Sequence, residues 1–308
     1  MKLRFAIGAI LIALAGSPAA AQQQPTPQPD AGLGQADPAP LDDVVVRGTL
    51  EEQALAFTEQ ASGTPVARGL ARWRGPVCIG VYNFRRAAAE QIADGLAHSG
   101  GALNVPIADG DCDPNIMIIG AVDARAVASA WVEREYREFR PNISGAARPR
   151  SQLEHFTTAD APIRWWTLSR PAYFDIFKGR RVLAGGPWRG MIEVRTAMNR
   201  EMHTRDDLQR IIIILDVDKI TGVSAENLIA YLTMVSFTQI DMQADMGEYR
   251  SILNLFRPGH EGRGLTEWDQ AYVRGLYDVP RDLRIETELQ SESMAQRLRP
   301  QSTPGEAD

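Results

Sequence analysis

Apolar residues recur along this chain in two rhythms, and the changes of rhythm mark out its elements. Val77 to Tyr82 is a β-prone apolar run and predicts a strand. Ala87 to Ala97 follows with Ala89, Ile92, Ala93 and Leu96 on one stripe, which predicts a helix ended by Gly100-Gly101. Short strands are predicted at Leu103 to Ile107 and Ile116 to Ile119, around the turn Asp109-Gly110-Asp111. A second helix is read over Ala124 to Phe139, with Val127, Trp131, Val132 and Phe139 inward. From Pro141 to Arg200, Gly and Pro break the pattern, and Ile163 to Ser169 and Met191 to Arg195 are read as strands. Ile211 to Val217 is the clearest strand, with the near-continuous apolar character of one buried on both faces.

Ser224 is placed to cap a helix from Ala225 to Ile240. Its apolar residues occupy nearly every face, which predicts a buried central helix. Leu265 to Tyr277 predicts a C-terminal amphipathic helix with Trp268, Ala271, Tyr272 and Leu276 on one face. Thr266 and Asp269 have the spacing of a capping box, with Asp in place of the usual Glu or Gln. Before these units, Val44 to Val46 is strand-like and Leu50 to Gln60 helical, with Leu50, Ala54, Leu55 and Thr58 on one side. Residues 41–71 are therefore read as an N-terminal extension of a globular domain at 72–290, and the polar stretch 291–308 as a disordered tail. The order of elements predicts a mixed α/β (α+β) fold with one core and a mixed sheet.

The N-terminus changes the picture. Lys2 and Arg4 precede an apolar run from Phe5 to Ala15, and Ala19-Ala20-Ala21 offers a cleavage site before Gln22. Residues 1–21 thus read as a signal peptide, cut between Ala21 and Gln22, and the chain as exported, periplasmic or extracellular. The run is shorter than the ~20 residues that span a bilayer, so no transmembrane anchor is expected after cleavage. Residues 22–40 are rich in Gln, Pro, Ala and Gly and read as a disordered linker. Cleavage would take the formal charge from -6 to -8, since the removed segment holds two basic residues and no acidic one. That balance argues against nucleic acid as a partner. Two cysteines remain, Cys78 and Cys112, and an even count in an exported chain predicts a disulfide between them.

Two stretches carry a family resemblance. Leu265-Thr266-Glu267-Trp268-Asp269 through Val273 to Leu276-Tyr277 resembles the closing helix of metzincin-type zinc peptidases. With Pro76-Val77-Cys78 and Ser251 to Phe256, the chain resembles a group of uncharacterised exported bacterial zincin-like proteins. The resemblance implies a zincin-like single domain over 72–290. In zincins the buried helix carries H-E-x-x-H, two imidazoles on one face with a general base between them. Here Asn227 to Gln239 contains no His, Glu, Asp or Cys, so the fold is carried over and the zinc chemistry is not. No cofactor is expected.

Several other groups could carry chemistry. His155, next to Glu154 and near Trp165-Trp166, is a pocket candidate, with a loop beside core tryptophans as the simpler reading. Asp216 and Asp218 end the clearest strand, where they could bind a cation or cap the following turn, and the cap is favoured. Asp109, Asp111 and Asp113 imitate part of a calcium loop without its bidentate Glu. His260-Glu261 has no second His nearby, and Arg180, Arg181, Arg189 and Arg195 read as a solvated face. The G-x-S-x-G elbow and the P-loop are absent. The expectation is a catalytically inactive zincin-like domain with a binding or structural role in the cell envelope, toward an envelope protein or glycan. One alternative is a peptidase-like hydrolase whose site joins His155, His203 and Asp216 or Glu154. The other is a glycan- or peptide-binding module with an aromatic cleft at Trp165, Trp166 and Trp188.

Overall fold

The computed structural model describes residues 48–62, 70–141, 148–175, 180–183, 204–259, 262–278 and 287–299. The signal peptide and its Ala21–Gln22 junction, the linker, the run at 44–46 and the strand expected at 191–195 lie outside them. Five strands form one mixed sheet: β1 (Ile79–Tyr82), β2 (Ile116–Ala121), β3 (Ile163–Asp175), β4 (Arg180–Leu183) and β5 (Thr204–Asp216), in the order β1-β2-β5-β3-β4. The pairs β1–β2 and β2–β5 are parallel, while β3 runs antiparallel to both β5 and β4. The mixed α/β class expected from the pattern is the observed one.

β5 sits in the middle because its residues leave it no edge to spare. Ile211 to Leu215 are all fully buried. Their alternation divides the interior in two: Ile211, Ile213 and Leu215 face one core, Ile212 and Ile214 the other. The larger core is covered by α1 (Leu50–Ser62), α2 (Arg86–Ala102), α6 (Ala225–Phe237), α7 (Glu267–Asp278) and α8 (Thr287–Leu298). The smaller is covered by α3 (Ala124–Arg134), α4 (Tyr136–Phe139) and α5 (Arg150–Thr158).

α6 is the buried helix, with nine of its thirteen residues inaccessible. Ser224 caps it as expected, its hydroxyl accepting the Asn227 N–H at 3.2 Å. Its far end is tied by aromatic donors: Trp73 Nε1 to Ser236 O (2.7 Å), Tyr277 Oη to Phe237 O (2.6 Å) and Trp165 Nε1 to Ile240 O just beyond it (3.1 Å). The closing motif has a matching explanation at Asp269. The capping box forms, with Thr266 N–H on Asp269 Oδ2 at 3.0 Å and Asp269 N–H on Thr266 Oγ1 at 3.2 Å. The same fully buried carboxylate also accepts the Ser251 hydroxyl (2.6 Å) and the Ile252 N–H (2.7 Å). Burial raises the Asp269 carboxyl above its ordinary range, although these donors pull the other way. Ser251–Phe256 and Leu265–Tyr277 are thus two halves of one hydrogen-bonded knot.

Several boundaries are corrected. The 72–290 limits are too narrow at both ends. α1 buries Ala54, Phe57 and Ala61 in the larger core, and α8 buries Met294 and Ala295 there, well inside the tail expected to be disordered. α8 can dock because Gly275 leaves α7 without a side chain where the two meet: a Cβ there would lie 3.5 Å from the Met294 backbone N. Residues 103–107 form a single parallel bridge, Val77 to Ile107, in place of a strand. α2 runs through Gly100, whose missing Cβ makes room for Ile107 and Phe237 at 2.7 and 2.9 Å. The helix expected over 124–139 breaks at Glu135, and α5 rises from a region read as irregular.

Cys78 and Cys112 are bonded, with a sequence separation of 34. Replacing both by Ala is expected to cost ~3–4 kcal/mol on the chain-entropy account, read by urea denaturation under non-oxidising and oxidising conditions. Wild type with free thiols at both positions, in a non-reducing mass analysis, would refute the pairing. Asp269→Ala strands three buried donors and should cost about 3 kcal/mol, lowering the urea midpoint at constant m. A loss under ~0.5 kcal/mol, the size of an ordinary surface change, would show that the knot is not a stabilising element.

Candidate ligand crevice

The polar site that the fold builds most deliberately lies where the two cores meet, beside β3. Arg164, buried, donates from Nη1 to Phe156 O (2.6 Å) and from Nη2 to Ala159 O (2.7 Å), closing the C-terminal end of α5 onto β3. This fixes α5, and with it Arg148 and Gln152 at and before its first turn. Opposite, the chain leaving α6 turns at Asp241, whose N–H donates to Ala61 O of α1 at 2.8 Å. Between these elements runs a crevice of about 230 Å³ lined by Arg148, Gln152, Trp165, Trp166, Asp241, Met242 and Gln243. Met242 packs against both cores.

A relay of hydrogen bonds crosses it. Arg148 Nη1 donates to Gln152 Oε1 (3.2 Å), and Gln152 Nε2 donates to Asp241 Oδ2 (2.9 Å). Asp241 Oδ1 accepts the Gln243 N–H at 2.9 Å. Burial lowers the Arg148 guanidinium pKa from its ordinary value, and the charges of Asp241 and Asp206 oppose that shift. Its Nε and Nη2 are buried and meet no acceptor among the described residues. Both Trp donors are satisfied, Trp165 by Ile240 O and Trp166 by Phe139 O at 2.9 Å. The one unspent buried donor edge lining the crevice therefore belongs to a cation. At this size the crevice falls below the ~300 Å³ of a usual small-molecule pocket, so it suits a head group and not a whole ligand.

Comparison with known proteins finds no matching family model, no similar curated protein and no similar solved structure. Function must be argued from these residues.

The residues singled out from sequence do not form one site. Trp165 enters the larger core, edge-on to Tyr231 at 6.0 Å. Trp166 enters the smaller, beside Phe156 at 6.0 Å. Neighbours on a strand must point to opposite faces, so the two indoles build no shared aromatic platform. Trp188, His203 and His260 lie outside the described residues. His155 is half-buried on α5, and Glu154 beside it is exposed. Asp216 takes the capping role: Oδ1 accepts the Lys219 N–H at 3.3 Å, and Lys219 Nζ reaches Asp160 as well as Asp216 Oδ2 at 3.9 Å. Asp218 is exposed in the turn that follows, as are Asp109, Asp111 and Asp113 in theirs. Among the described residues no three His, Cys, Asp or Glu side chains converge as a metal site would require. Arg148 and Gln152 were not anticipated; their spacing of four is visible in sequence, but Asp241, 89 residues after Gln152, is not.

The capping role predicts that Asp216→Asn, which keeps the acceptor, changes stability by under ~0.5 kcal/mol, while Asp216→Ala costs about 1 kcal/mol. Thermal unfolding with and without millimolar Ca²⁺ checks this. A Ca²⁺-dependent rise in Tm that Asp216→Asn abolishes would restore the cation reading.

Proposed function

We propose that this is an exported, catalytically inactive zincin-like domain with a binding or structural role in the cell envelope. The observation that carries the reading is chemical. The buried helix, in the place where zincins present two imidazoles and a carboxylate, offers from Asn227 to Gln239 only amide, hydroxyl, thioether, phenol and hydrocarbon groups. None of these is a zinc ligand of the usual set. The interior space that a metal centre would need is filled by Leu232, Met234, Val235 and Phe237, all fully buried. Export is supported by the order of charged, apolar and small residues at the N-terminus and by the Cys78–Cys112 bond, which suits an oxidising compartment.

In this reading the two motif segments have been kept for packing. Asp269 holds Ser251 and Ile252, and Tyr277 holds the end of α6, none of which needs a metal. What remains for function is surface and crevice, consistent with recognition of a partner rather than turnover.

Metal analysis of protein purified from periplasm should find under ~0.1 zinc per chain, since a site of the usual kind would hold its ion through purification. The same preparation should begin at Gln22 by intact mass. A full equivalent of zinc surviving dialysis against chelator overturns the reading of the domain as metal-free, and a chain retaining residues 1–21 in the cytoplasm overturns export.

A further inference from the structure

We propose that the crevice between α5, β3 and the turn after α6 is a carboxylate-binding site, with Arg148 as its anchor. This gives the binding role proposed above a ligand class and rests on that reading. The argument starts from which edge of the guanidinium is free. Nη1 is spent on Gln152, and Gln152 is itself held by Asp241, so the plane of Arg148 is fixed from one side. Nε and Nη2, the two donors left over, lie on a single edge of that plane. They point their N–H bonds nearly parallel, and that edge matches the two oxygens of a carboxylate.

A buried cation with two idle donors is costly, and a protein with no use for it would be better served by an apolar residue of similar length. Here the cost is kept, and a three-residue relay is built to orient the group. The surroundings narrow the ligand. Asp241 faces the same space, so each further negative charge on a ligand adds repulsion, which disfavours a phosphate dianion against a carboxylate monoanion. The crevice has room for a planar head group, while the exposed Gln243 at its rim can meet whatever the head group is attached to. A peptide C-terminus and an acidic sugar both present this chemistry.

The test uses the full mature chain at constant ionic strength. Titrations by calorimetry, with the Arg148 Nε–H resonance followed by NMR, would compare acetate, N-acetyl-dialanine, its C-terminal amide, glucuronate and inorganic phosphate. The expected result is saturable binding of acetate and of at least one larger acid, with a shift of the Nε–H signal and no binding of the amide. Which larger acid binds separates the peptide from the sugar source. Arg148→Gln should weaken binding at least ~10-fold, and Gln152→Leu, which keeps the cation but frees its plane, should weaken it several-fold. If Arg148→Gln does not fold, the Nε–H shift in wild type and the Gln152→Leu titration decide. The site is overturned if no carboxylate binds at millimolar concentration, if the amide binds as tightly as the acid, if phosphate binds best, or if Arg148→Gln binds unchanged. None of these outcomes bears on zinc content, so the two proposals fail separately.

Discussion

The architecture follows from the double burial of one strand. Ile211 to Leu215 expose nothing on either face, so hydrophobic cover is needed twice, and every helix can be understood as half of that cover. The parallel neighbours β2 and β1 extend the sheet on one side, and the antiparallel β3 extends it on the other. Because β3 alternates like β5, Trp165 and Trp166 are driven into different layers. Burying two such large rings on one short stretch clamps the layers to a common strand. Near its beginning β5 also carries Asp207, whose carboxylate meets Arg74 at 2.7 Å with both side chains buried. That charge pair joins the segment before β1 to the sheet, where neither partner can be removed without stranding the other.

What could be read from the sequence was whatever depends on near neighbours. The β5 run, the Ser224 cap, the α6 interior and the Thr266–Asp269 box all lie within a few residues of their causes, and each stands as expected. Asp216 was legible for the same reason, since its acceptor serves an N–H three residues on. The failures are those where the deciding partner is remote. The stretch from Gln290 to Ala295 shows only two apolar residues on its buried side and looks like a tail. Its order comes from Gly275, in another helix. The second role of Asp269 depends on Ser251, which no local pattern connects to it. The paired tryptophans mislead differently: adjacency in sequence suggests a shared pocket, whereas strand geometry forbids it.

The crevice belongs to the remote class. Its parts come from the approach to α5, from β3 and from the turn after α6, and its character depends on which hydrogen bonds are left unmade. A composition count sees one more arginine in an arginine-rich chain. Only the relay through Gln152 to Asp241 shows that this one is held still, and only the satisfied indoles show that nothing else there is left to donate.

The disulfide has a consequence for the order of events in folding. Cys78 stands just before β1 and Cys112 just before β2, so the bond closes a ring containing β1, all of α2 and the return to the sheet. Parallel strands are slow to find each other because the crossover between them must first be brought round on itself. Oxidation performs that step covalently, and it leaves Ile79 and Ile116, the first registered pair, within a few residues of the linkage. A chain oxidised early would therefore begin its search with one alignment already chosen, and β5 would add to a template instead of creating one.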